Sequence, residues 1–288
     1  MLTRFAPAPT GYLHLGHVAN AIHVWGEARA RHGRVLLRIE DHDRDRCRPE
    51  YEDALLEDLD WLGFVPDLYP TDAFRADRCE SRQSDRHDIY LRVANELLAQ
   101  RLLYACKCSR KEIGKRRRVS FSSKKTPDVF FGGEVAYPGT CRHLGLAFDA
   151  ADVGWRVRLP PDEVTFDDLW RGPQTQVPAS QCGDLLIRDR RGNWTYQFVA
   201  TVDDHLQGIT HVIRGMDLLA STGRQILLGQ LIGRDTPAVF AHHALIMKSP
   251  TQKLSKSDGD TGVRDLRQAG WTRSRVIDTA LERMRMAV

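Results

Sequence analysis

Two short runs, far apart in the chain, carry residue types that handle phosphate. The first, TRFAPAPTGYLHLGH at residues 3–17, holds His14, Gly16 and His17. Imidazole N–H groups can donate to phosphate oxygens, and a glycine lets a flat nucleotide come close to the backbone. The second, KLSKS at residues 253–257, supplies the ammonium groups of Lys253 and Lys256, point charges that attract phosphate oxygens. Arg4 and Arg214 could each clamp a carboxylate through two parallel hydrogen bonds. A separate group, Cys106, Cys108 and Cys141, offers two close thiolates and a third at a distance. That spacing suits a tetrahedral zinc ion needing one more ligand, for which His143 is the ordinary candidate.

These side chains need elements to aim them. Residues 2–6 read as a short strand, and Pro7 and Pro9 then stop regular pairing. Val18, Ala19, Ile22, Val24 and Trp25 have helical spacing, which predicts a helix over 18–32 ending near Gly33. His14, Gly16 and His17 would then stand at a helix N-terminus, where outward N–H groups and the helix dipole attract anions. RVLLRIE at residues 34–40 reads as a buried strand. Strand, helix and strand at this spacing predict a parallel, doubly wound sheet, and Glu40 at a strand end would face its ligand crevice. Helical periodicity recurs over 49–63 and 84–103. Farther on, Tyr196 is expected on a strand, alternating with Phe198, and Arg214 at the end of a strand over 210–214. A short strand over 244–247 should lead into the Ser- and Lys-rich KLSKS loop, followed by helices over 264–268 and 273–284. Asp41, Asp43 and Asp45 match some calcium-loop positions, but Arg46 stands where that loop requires glycine.

Composition bounds the function. The 288 residues are 42% hydrophobic and 28% charged, as in globular chains, with a net charge of +4 that permits a nucleic-acid partner without demanding one. No run of apolar residues is long enough to span a membrane. Six cysteines without an export signal imply reduced thiols in a cytoplasm. Composition changes at Tyr104, and residues 110–125 form a strongly basic stretch that reads as a solvated or RNA-facing loop.

RFAPAPTG joined to LHLGH, with KLSKS downstream, resembles the class I aminoacyl-tRNA synthetases and, within them, the glutamyl branch. RIEDHDRDR at residues 38–46 and the run from Asn193 through Arg214 resemble further segments of that branch. The resemblance covers nearly the whole chain. It implies a Rossmann-type α/β catalytic domain over 1–103 and 182–257, an inserted zinc-containing, RNA-contacting domain over 104–181, and a short helical tail over 258–288. It implies that Arg4, Phe5, Ala6, Pro7, Ala8, Glu40, Tyr196 and Arg214 bind L-glutamate, with Glu40 on the ammonium group. Two cations and a tyrosine suit the side-chain carboxylate, whereas uncharged glutamine would leave that charge unmatched. His14, Gly16, His17 and Lys256 would hold ATP with its Mg²⁺, and His14, His17, Lys253 and Lys256 would assist formation of the adenylate. Ala8 stands where the family usually has serine, the loss of a hydroxyl worth about 0.5–1.5 kcal/mol.

C-x-C followed by Y-x-x-x-C resembles a truncated, glutamyl-queuosine-forming subgroup, in which Tyr137 would join Cys106, Cys108 and Cys141 around one structural Zn²⁺. Only 31 residues follow Ser257, too few for a usual anticodon-binding domain. The expectation is therefore a monomeric enzyme that passes glutamate to queuosine at the wobble position of tRNA(Asp). Two alternatives are a minimal synthetase charging a tRNA 3′ end and an inactive, synthetase-derived RNA-binding protein.

Overall fold

A computed structural model describes residues 1–114, 135–249, 252–253 and 261–286. Lys256 and most of the basic stretch, residues 115–125, lie outside the described residues. The strand, helix and strand at the start of the sequence are β1 (Leu2–Phe5), α1 (Leu15–Ala30) and β2 (Arg34–Leu37), with β1 and β2 parallel. α2 (Pro49–Leu62) begins with a proline whose missing N–H is not needed there, and ends at Gly63, whose left-handed φ of 76° closes the last turn. α3 (Thr71–Arg75) and α4 (His87–Ala99) lead to β3 (Leu103–Cys106). There follow β4 (Gly154–Val157), β5 (Val164–Asp168), β6 (Gly172–Gln176), α5 (Pro178–Cys182) and β7 (Leu185–Arg188). The chain continues through α6 (Tyr196–Leu206), β8 (His211–Gly215), α7 (Thr222–Leu231) and β9 (Val239–His243). It closes with the hairpin β10 (Met247–Ser249) and β11 (Gln252–Lys253), then α8 (Val263–Gln268) and α9 (Arg273–Met286).

β8, β9 and β5 are parallel neighbours, and β6 adds to β5 antiparallel. β1 lies beside β8, where the Thr210 N–H donates to the Leu2 carbonyl at 2.9 Å. Apolar residues of α1, α2, α8 and α9 cover one side of this assembly, among them Val18, Leu55, Leu59 and Val276. A second core joins α4, α6 and α7 with β3, β4 and β7, through Tyr90, Leu97, Val157, Ile187, Phe198 and Leu228. The antiparallel sheet β3–β4–β7 therefore shares its core with helices from both sides of residues 104–181. Within that stretch, β5 and β6 run with the parallel sheet: Asp168 is the register partner of Phe240, and the Leu169 N–H donates to the Phe240 carbonyl at 2.9 Å.

Two local expectations are corrected. Tyr196 and Phe198 lie on a helix, because Thr195 is extended and the residues after it place Phe198, Val199 and Val202 on one buried face. Residues 244–246 belong to no strand: β9 ends at His243, with its polar His242 and His243 buried in the sheet, and β10 begins only at Met247.

Gly183 is locked between α5 and the cysteine-bearing segment. Its φ of 68° and ψ of −155° belong to a region reserved for glycine, and a Cβ there would stand 2.1 Å from the Tyr137 carbonyl oxygen. Gly183→Ala is expected to destabilise the protein by on the order of 1–3 kcal/mol in urea unfolding. An unchanged unfolding midpoint would show that the segment bearing Tyr137 packs elsewhere.

Candidate functional site

A cleft of about 690 Å³ opens where β1, β2 and β8 end and α1 begins. Arg4, Phe5, Ala6, Pro7, Ala8, His14, Gly16, His17, Glu40, Tyr196 and Arg214, predicted from distant parts of the sequence, all line it. Asn20, His42, Arg46, Asp217 and His243 also line it, with several apolar residues, and were not predicted as site residues.

The mouth of the cleft is built by the two signature histidines. His14 caps α1: its Nδ1 accepts the Gly16 N–H at 3.1 Å, while His17 Nδ1 accepts the His14 N–H at 3.1 Å. This is a capping box made from imidazoles. With both Nδ1 atoms accepting, the ring protons belong on Nε2, the nitrogens able to donate to an anion. A Cβ on Gly16 would lie 2.9 Å from the His14 ring, so this glycine makes room for the cap as well as for a ligand. The C-terminal part of the chain closes on the same turn. Gly262 pairs with His14, and the Val263 N–H donates to the Leu13 carbonyl at 2.7 Å. The run containing Lys256 thus leaves the described residues at Lys253, in β11, and returns beside His14.

A buried chain of alternating charges lies behind Arg4 and Glu40, which line the cleft. Asp204 Oδ1 accepts from Arg4 Nε at 3.0 Å and from Arg38 Nη2 at 2.6 Å. Arg38 Nε stands 3.5 Å from Glu40 Oε1. Burial alone would raise the Asp204 pKa, but Arg4 and Arg38 outweigh it and pull it down to about 2. Burial pushes Glu40 upward against the pull of Arg38 and Arg4. Glu40 is 5% exposed, and its Oε1 has no hydrogen-bond partner among the described residues. A buried acceptor in that condition awaits a donor. Across the cleft, Arg214 is 4% exposed and is held by His242, Gln225 and Thr222 at 2.9, 2.6 and 2.8 Å. Two arginines and one carboxylate can accommodate an ammonium group together with a carboxylate.

The family model for the catalytic domain of class I tRNA synthetases (E and Q) matches residues 1–287. The chain belongs to the class I glutamyl- and glutaminyl-type tRNA synthetases. It is 40% identical, over 90% of its own length and 81% of the relative's, to glutamyl-Q tRNA(Asp) synthetase of Burkholderia cenocepacia. It is 38% identical to glutamate–tRNA ligase of a Hydrogenobaculum species, with 93% of this chain and 55% of that one covered. A crystal structure of glutamate tRNA ligase from Elizabethkingia meningosepticum, in complex with its amino acid, superposes with a TM-score of 0.71 at 32% identity. That match covers 90% of this chain and 52% of the other. The protein is accordingly an enzyme of the aminoacyl-tRNA synthetase ligase type. Among the described residues no helix is long and apolar enough to cross a membrane.

In this synthetase the three cysteines converge. The sulfurs of Cys106, Cys108 and Cys141 lie within 4.8 Å of one another, and Cys108 and Cys141 are 3.6 Å apart. Sulfurs about 2.3 Å from a tetrahedral zinc stand about 3.8 Å apart, so the donors fit that ion. The Tyr137 hydroxyl lies 3.4 Å from Cys106 Sγ and accepts the Cys141 N–H at 2.7 Å. His143 is exposed and contributes no nitrogen to the cluster. Arg156 donates from Nε to Cys106 Sγ at 3.3 Å and lies over the Tyr137 ring, a cation placed to offset sulfur charge. The acidic run is engaged otherwise: Asp41 accepts the Ser84 N–H, Asp43 pairs with Arg46, and Asp45 with Arg191. No metal cluster forms there among the described residues.

Proposed function

We propose that this synthetase activates L-glutamate and passes it to queuosine in tRNA(Asp). The observation carrying the activation step is the cleft in which Arg4, Arg214 and Glu40, whose Oε1 lacks a hydrogen-bond partner among the described residues, surround one end while the imidazole-capped start of α1 forms the other. Glu40 would accept the ammonium group of glutamate, and Arg214 with Tyr196 would take its side-chain carboxylate. An oxygen of the α-carboxylate attacks the α-phosphorus of ATP, the bond to the β-phosphate oxygen breaks, and pyrophosphate leaves with the electron pair. His14 and His17, at the positive end of the α1 dipole, would hold the nucleotide, and Lys256, with Lys253, would stabilise charge on the pyrophosphate. Mg²⁺ accompanies ATP as part of that substrate.

The acceptor reading rests on the relatives named glutamyl-Q tRNA(Asp) synthetase, which this chain matches over most of both lengths. A cis-diol on the queuosine ring resembles the 2′,3′-diol of a terminal ribose, so one crevice could present the same adenylate to either. Charging of a tRNA 3′ end is the second reading, supported by the glutamate–tRNA ligase relatives. Glutamate-dependent exchange of pyrophosphate into ATP is the expected activity, falling by on the order of 10²-fold or more in Lys256→Ala. Labelled glutamate should enter tRNA(Asp) that lacks its 3′-terminal adenosine, and should fail to enter tRNA from cells without queuosine. The reverse pattern would establish 3′-end charging.

For the cysteine cluster we propose one structural Zn²⁺ held by Cys106, Cys108, Cys141 and the Tyr137 oxygen. Tyr137→Phe is expected to lower zinc retention during dialysis against a mild chelator, while His143→Ala retains it. Equal retention in wild type and Tyr137→Phe would remove the tyrosine from the ligand set.

A further inference from the structure

Arg214 is held by a chain that crosses three adjacent strands. Asp168 ends β5, His242 lies in β9 and Arg214 in β8. Arg214 and His242 are register partners, and Asp168 is paired with Phe240, two residues before His242. Asp168, His242 and Arg214 are 3%, 0% and 4% exposed. Arg214 Nε donates to His242 Nε2 at 2.9 Å. A guanidinium has no acceptor, so His242 Nε2 must carry the lone pair and Nδ1 the proton. That proton points at Asp168 Oδ2, 2.5 Å away. The carboxylate is itself fixed by backbone donors. Its Oδ1 accepts the N–H groups of Trp170, Arg171 and His242 at 3.1, 3.0 and 3.2 Å.

The consequence lies in the charges. The side-chain partners of Arg214 in these bonds are an imidazole, the Gln225 amide and the Thr222 hydroxyl, all neutral. The acid at the end of this chain of bonds, Asp168, stands one ring away, and Asp204 acts on Arg214 through space. A carboxylate bonded directly to Arg214 would neutralise the charge that a carboxylate ligand needs, whereas these partners, with the Leu218 carbonyl on Nη2 at 3.4 Å, leave that charge in place. Arg4, by contrast, is paired directly with Asp204.

We propose that Asp168 and His242 are positioning residues for amino-acid selection: Asp168 fixes His242 in the Nδ1–H tautomer, and the Nε2 lone pair then holds Arg214 with its charge open to the side-chain carboxylate of glutamate. This rests on the reading of Arg214 as the partner of that carboxylate. Burial, followed by the nearby Arg214 charge, pushes the His242 pKa down to about 4, which keeps the ring neutral near pH 7.

Asp168→Asn tests the chain with little change of shape. The amide oxygen can keep the three backbone N–H contacts, while the NH₂ donates to Nδ1 and forces the proton onto Nε2, opposite the Arg214 donor. In pyrophosphate exchange, the KM for glutamate should rise by about tenfold or more while that for ATP stays within about twofold, and discrimination against glutamine should fall. In an Arg214→Ala background the same change should leave the glutamate KM unaltered, which a merely structural role for Asp168 would not produce. Histidine-selective ¹⁵N NMR of the wild-type protein should find His242 with Nδ1 protonated and Nε2 bare. An Nε2–H ring, or a glutamate KM unmoved by Asp168→Asn, would overturn the proposal. Wild-type protein without glutamate-dependent exchange would instead defeat the glutamate reading, and the NMR result would still decide the tautomer.

Discussion

Asp204, a carboxylate with almost no access to water, sits between the guanidinium groups of Arg4 and Arg38. Removing three charged groups from solvent is costly unless each meets its opposite at close range. Here the acid comes from α6 and the two bases from β1 and the segment just after β2, so one cluster ties together the elements that carry the cleft. Arg38 is wholly buried and also donates from Nη1 to Gln207 at 2.9 Å, which adds the end of α6 to the same knot. Without Asp204, Arg4 and Arg38 would repel one another at the floor of the site, and Glu40 would lose the order of charges around it.

From that floor the cleft divides by chemistry. Its deep end is electrostatic, with Glu40 short of a donor and Arg214 surrounded by neutral partners. Its mouth is a helix terminus whose first N–H groups are organised by His14 and His17. Gly262, downstream of the KLSKS run, pairs with His14 at that terminus. The cysteine cluster belongs to a different neighbourhood, with its own small apolar core of Tyr104, Cys106, Ile113, Tyr137 and Cys141. Asp184 links that core to the antiparallel sheet, accepting from the Tyr104 hydroxyl at 2.7 Å and from the Leu159 N–H at 3.1 Å.

Much of this was legible in the sequence because it rests on short-range rules. β1, α1 and β2 follow from a proline-bounded strand and helical periodicity, and the cleft residues follow from motifs whose positions the parallel sheet brings to one edge. What escaped depends on long-range contacts. Tyr196 looked like a strand residue because its neighbours are aromatic and β-branched, yet packing against Tyr90 and Trp194 buries the helical face that begins at Phe198. His242 stood just ahead of the strand expected over 244–247. Its place in β9 makes sense only once Asp168 and Arg214, 74 and 28 residues away, are seen on either side. Asp168 itself carried no motif signal. The pairing of β5 with β9 likewise has no local signature, since one register pair, one flanking backbone hydrogen bond and the Asp168–His242 contacts join them.

The most direct measurement is a crystal structure with a non-hydrolysable sulfamoyl analogue of glutamyl-adenylate. The predicted complex has the ammonium group on Glu40, the side-chain carboxylate within hydrogen-bond reach of Arg214 and Tyr196, and the sulfamoyl group at the start of α1 beside Gly16 and His17. A ligand bound with its side-chain carboxylate away from Arg214, or its sulfamoyl group away from the α1 terminus, would contradict this arrangement.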